Sequence, residues 1–162
     1  MSNTLLSNLA DNGVLTLTLN RPEVLNSLNE TLTMNLLSAL NDARVSKDVR
    51  AIVITGSGRA FCAGADLDSK SWPSPTGLSA GEATAASMDR GFNPLVRAVS
   101  QSTKPVVTAI NGIAAGGGVG LALAGDIAIA CESAKFKLVF GPNLGIIPDM
   151  GASWFLPNLV GR

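Results

Sequence analysis

Residues 104–130, KPVVTAINGIAAGGGVGLALAGDIAIA, decide how the chain folds. PVVTAIN opens as a strand, GGGVGLALAGD reads as a tight turn into a short helix, and IAIA returns to a strand. No side chain from Pro105 to Gly125 carries charge, and a single helix of that length would cross a bilayer. The opening proline, Asn111 and glycines at 112, 116, 117, 118, 120 and 125 argue against that helix, because each glycine costs about 1 kcal/mol in a helix relative to alanine. Strand, turn and buried helix are the expectation, with no membrane span.

The same alternation extends in both directions. VLTLTLN, Val14 to Asn20, alternates apolar and polar residues as a half-buried strand does. RPEVLNSLN turns, Ser27 with Glu30 predicts a capping box, and Leu32, Leu36, Leu40 and Ala43 follow at helical spacing. AIVITG, Ala51 to Gly56, predicts a buried strand ending in a glycine turn, with FCAGADL after it. Residues 68–86, rich in Ser, Ala, Gly and Pro, predict a loop, and a helix with Phe92, Leu95, Val96 and Val99 on one face resumes near Met88. KFKLVF predicts a further extended piece. Strands alternating with helices place the chain in the α/β class, as one domain over residues 1–162.

Composition narrows the chemistry. Hydrophobic residues make up 46% of the chain and charged ones 15%, which is a globular composition. Twelve basic and twelve acidic residues cancel, so no net field draws the protein to nucleic acid or to an anionic membrane. Two cysteines in apolar contexts and a first segment without a basic start point to a reducing, cytoplasmic setting. There is no histidine, which removes Ser-His and Cys-His nucleophiles and histidine metal sites, so no metal is expected; there is no tyrosine either. Proton chemistry falls to Asp, Glu, Lys or water.

Two glycine turns follow strands, ITGSGRAFCAGADL and AINGIAAGGGVG. Unpaired backbone N–H groups at such turns can stabilise a negative oxygen, and glycine lets a ligand approach the main chain. Close packing of strand on helix would leave the same glycines. Gly116, Gly118 and Gly120 miss the dinucleotide-binding spacing, and no Lys-Ser or Lys-Thr follows to make a phosphate-cradling loop. One acid stands apart: in NLGIIPDMGAS, Asp149 is the sole charge between Leu138 and Val160.

LNRPEVLNSLN, GSGRAFCAGADL, the 104–130 block, SAKFKLVF and LGIIPDMGASWFLPNLVGR, in this order from about Leu15 to the end, resemble the enoyl-CoA hydratase/isomerase (crotonase) superfamily, and within it most the ring-epoxide isomerases of phenylacetate breakdown. The resemblance implies a spiral of repeated ββα units that binds an acyl-CoA thioester, with no cofactor beyond the coenzyme A of the substrate. It implies that the N–H groups of Ala65 and Gly117 hold the thioester oxygen, with Ala63, Gly64, Asp66, Leu67, Gly116 and Gly118 around the substrate. Asp66 and Asp126 also suit bracing roles. It implies a homotrimer, or a dimer of trimers, at full length. Relatives continue into a C-terminal helical region, so the chain is expected to be a core without it.

The resemblance also weighs the reaction. Family hydratases carry two glutamates, at positions that fall here on Gly120 and on Phe140 or Gly141. Without them ordinary hydration is disfavoured, and a dehalogenase of this kind would want a histidine base. Asp149, in the place of the isomerases' aspartate, is left to move a proton between two carbons. A hydratase-type lyase and a catalytically incompetent acyl-CoA-binding fragment stay open as alternatives.

Overall fold

The computed structural model describes residues 3–68, 72 and 77–161. Among these residues eight strands and five α-helices follow one another in a repeated order: β1 (Leu5–Leu9), β2 (Val14–Leu19), α1 (Glu30–Val45), β3 (Ala51–Gly56), β4 (Ala60–Cys62), α2 (Ala80–Ser87), α3 (Asn93–Ser100), β5 (Val106–Ile110), β6 (Ile113–Ala115), α4 (Gly117–Leu123), β7 (Ile127–Ala130), β8 (Lys135–Lys137) and α5 (Ala152–Val160). Two strands and then helix recur four times. The first strands of the later units, β3, β5 and β7, join β1 and β2 in a five-stranded sheet of order β1-β2-β3-β5-β7. Their second strands form a smaller sheet, β4-β6-β8. Among the described residues only the β1–β2 hairpin is antiparallel, and every other pairing between strands is parallel. This is the spiral of ββα units that the resemblance implied.

Apolar periodicity accounts for the core. Leu15, Leu17 and Leu19 of β2 and Ile52 and Ile54 of β3 point inward at every second position, as the two-residue period of a strand requires. Leu32, Leu36, Leu40 and Ala43 form the buried stripe of α1 against them. The charge-free stretch around 105–125 is β5, β6 and α4, and among the described residues no helix is long and apolar enough to cross a membrane.

The structure departs from expectation at several local points. Helix α1 is capped by Asn29, whose Oδ1 accepts the Leu32 N–H at 2.8 Å, and the Ser27 hydroxyl instead donates to the Val24 carbonyl. Within the expected 68–86 loop lies α2, set by a capping box in which Ser79 and Glu82 bond each other's backbone; residues 69–71 and 73–76 of that loop lie outside the described residues. Met88–Phe92 winds as a π turn before α3, and KFKLVF is a strand over only Lys135–Lys137 before a π turn at Phe140–Leu144. Strand β1 was not expected, although Asn12-Gly13 between two apolar runs is a hairpin signal.

Candidate functional site

The two glycine turns meet. A Cβ added to Gly64, at φ +91, would lie 2.9 Å from the Ala115 carbonyl oxygen and 3.1 Å from the Gly117 nitrogen. The backbones therefore approach to a distance that only glycine at 64 permits. Just beyond, Leu28 and Ala65 form a parallel bridge in which the Gly64 carbonyl accepts the Leu28 N–H at 2.7 Å and the Asp66 N–H donates to Leu28 at 3.0 Å. Extended backbone alternates its groups, so the Ala65 N–H faces away from Leu28, and it has no acceptor among the described residues. At the second turn Gly116 donates to the Lys137 carbonyl, and the Gly117 N–H, first in α4, has no intrahelical partner. The Ala65 turn does not open a helix, and its free donor comes from strand alternation instead.

The Pro22–Leu28 loop holds this arrangement in place. Asn26, fully buried at φ 57, accepts the Arg21 N–H and donates to the carbonyls of Ser57 and Ala60. Arg21 Nη1 reaches the Ser27 carbonyl at 2.7 Å and Asp66 Oδ2 at 2.8 Å. Asp66 also caps its own turn by accepting the Asp68 N–H. So Asp66 is engaged as a brace, Leu67 stands 94% exposed beside it, and Ala63 is half-buried with its N–H on the Leu25 carbonyl. Asp126 likewise accepts the Val106 N–H at 2.8 Å, a structural role.

Asp149 reaches the same place from the far end of the chain. Its Oδ1 lies 3.1 Å from the point where a Gly117 Cβ would stand, is buried, and has no hydrogen-bond partner among the described residues. Burial pushes its pKa up, and its own backbone N–H offsets part of the rise. Met150, next in the chain, is buried at 3% exposed, while Ile146 and Ile147 turn to solvent.

The glycines of α4 divide into two faces. Gly117 and Gly120, three residues apart, share the face covered by Met150; Gly118 sits against the Cys62 carbonyl, so close that any side chain would collide. Cys62 itself is buried and its thiol is pushed up to about 12, which makes it inert. Phe140, at one of the two positions aligned with the second glutamate, is 5% exposed. Among the described residues, the two turns therefore offer two amides without acceptors beside one desolvated carboxyl.

The enoyl-CoA hydratase/isomerase family model matches residues 10–162. The chain belongs to this family. It is 47% identical over 152 residues to the 1,2-epoxyphenylacetyl-CoA isomerase of Escherichia coli (strain K12), covering 94% of this chain and 56% of that protein. It is 39% identical over 158 residues to a mevalonyl-coenzyme A hydratase of Beauveria bassiana, covering 92% and 53%. Among solved structures, an enoyl-CoA hydratase from Bacillus anthracis superposes with a TM-score of 0.86 at 36% identity, over 99% of this chain and 59% of that one. The chain thus spans about half the length of the curated relatives it matches, and these family relatives carry both isomerase and hydratase names.

Proposed function

We propose that this chain forms the core of an acyl-CoA isomerase that moves a double bond, or rearranges a ring epoxide, through an enolate. The thioester oxygen takes hydrogen bonds from the Ala65 and Gly117 N–H groups, so negative charge collects there in the transition state. Ala63, Gly64, Leu67 and Gly116 flank the acyl-CoA. Asp149 removes a proton from one carbon and returns it to another. The observation that carries this reading is the buried Asp149 Oδ1 without a partner beside Gly117: a desolvated carboxyl is brought toward the pKa a base needs near neutrality. The name of the 47% identical isomerase supports it.

Hydration asks for a base for water and an acid for carbon, and no second carboxylate stands at Gly120, Phe140 or Gly141. No cofactor beyond the substrate's coenzyme A, a cytoplasmic setting and a homotrimeric assembly complete the proposal. The test is to incubate the full-length protein with aliphatic enoyl-CoA and cyclic phenylacetate-derived CoA esters in deuterated water. An isomer formed without a hydroxyacyl-CoA supports the reading, and protium kept at the newly protonated carbon marks direct return of the proton by Asp149; rapid accumulation of a hydroxyacyl-CoA overturns it in favour of a hydratase. Stabilisation by acyl-CoA with no product from either ester would mark a binding fragment.

A further inference from the structure

Met150 stands out in the site as the residue without an assigned role. It is a non-glycine residue at φ 47, followed by Gly151 at φ 75, and left-handed backbone of this kind is held in place only by its surroundings. Those surroundings are α4. The Met150 carbonyl oxygen would clash with a Cβ at Gly120, and the Met150 Cβ and carbonyl carbon lie 2.8 and 2.9 Å from that point. The thioether sulfur lies 2.8 Å from the corresponding point at Gly117, on the same side as Asp149 Oδ1. The turn is closed behind by the Ala152 N–H, which donates to the Asp149 carbonyl at 2.9 Å as α5 begins.

We propose that Met150 determines the reaction by position: lying on the bare face of α4, it seats the Asp149 carboxyl over Gly117 and fills the volume that a second carboxylate at residue 120 would need. Met150 is a positioning residue, since it acts through Asp149 and through the space it occupies. Residue 120 is then glycine for a reason beyond helix packing, because any side chain there displaces the turn that carries the acid. The commitment to one carboxylate is structural. This inference rests on the isomerase reading for its consequence, although the seating of Asp149 can be tested without turnover.

Three variants of the full-length protein carry the test. Met150→Gly fits the positive φ without strain and removes only the side chain. Water then reaches Asp149, so its carboxyl, followed by NMR in protein with labelled aspartate, titrates at lower pH than in the parent. Isomer formation falls at least about tenfold, as expected when an acid is displaced from its near-attack position. Met150→Leu restores apolar bulk and brings both readouts back toward the parent. Gly120→Ala pushes on the Met150 carbonyl from the helix side and lowers isomer formation by a similar factor, even though alanine is the better helix former. The inference is overturned if folded Met150→Gly leaves the Asp149 titration where it was, or if Gly120→Ala isomerises like the parent. Should Met150→Gly fail to fold, the Gly120→Ala rate decides. If the parent forms no isomer from any enoyl-CoA ester, the isomerase reading fails, and the Asp149 titration still decides the role of Met150.

Discussion

Two acids approach the glycine turns, and their surroundings are opposites. Asp66 is held by Arg21 at 2.8 Å and accepts the Asp68 N–H. Asp149 has a buried oxygen with no partner among the described residues. A carboxylate whose charge is matched is part of the architecture, and one left desolvated is poised for proton transfer. Position beside the turn is therefore a poor guide to role, and pairing is a better one.

The largest effect that follows is at Asp149. Asp149→Asn keeps size and cannot take a proton, so the rate of isomer formation should fall by about 10²–10⁴-fold, with acyl-CoA affinity nearly unchanged. Steady-state kinetics beside calorimetric titration measure both. Asp149→Glu should regain only part of the loss, because the longer arm misplaces the carboxyl. An active Asn variant would erase the contrast between the two acids.

Gly117→Pro removes a proposed donor and should cost about 2.7–4 kcal/mol of transition-state stabilisation, roughly 10²–10³ in rate. Circular dichroism must first show a native fold. Near-parental turnover in that folded variant would reduce the second turn to packing.

Asp66→Asn should act on stability first, because it leaves the Arg21 guanidinium without its charged partner; a loss of about 1.5–3 kcal/mol is expected for a charge-assisted hydrogen bond, read in chemical denaturation. The rate should drop by less than in Asp149→Asn. If Asp66→Asn proves the more damaging to turnover, the assignment of brace and base is reversed.

The smallest effect concerns pH. Because the folded-state pKa of Asp149 is raised, the native protein keeps its proton where the unfolded chain has lost it, so stability falls as pH rises from the ordinary carboxylate range through the raised value. Asparagine carries no such penalty. Asp149→Asn should melt above the parent at neutral pH, and the gap should close on acidification through the ordinary range. Melts across pH that stay parallel would mean the carboxyl is better solvated than its burial implies.

Much of this is legible in the sequence, for identifiable reasons. The β3 strand falls on Ala51–Gly56 as AIVITG predicts, and the α1 stripe is the one its leucines mark, because period and burial are local signals. The resemblance singled out Asp149, and its place as the sole charge between Leu138 and Val160 pointed the same way. What stayed hidden depends on partners distant in sequence. Nothing local shows that Met150 lies on Gly117 and Gly120, or that Ala65 owes its free amide to a bridge with Leu28. Helix α2 was masked by small residues, although its Ser79–Glu82 capping box stood in plain text.

The amides of Ala65 and Gly117, without acceptors among the described residues, also change what can be observed. Core amides in bonded strands exchange with solvent only when structure opens, whereas an amide without an acceptor exchanges by local access alone. These two positions should be fast spots among slow neighbours in a hydrogen-exchange map, and an oxygen seated between them should slow both together. Binding at the proposed site would then be readable at two residues with no turnover.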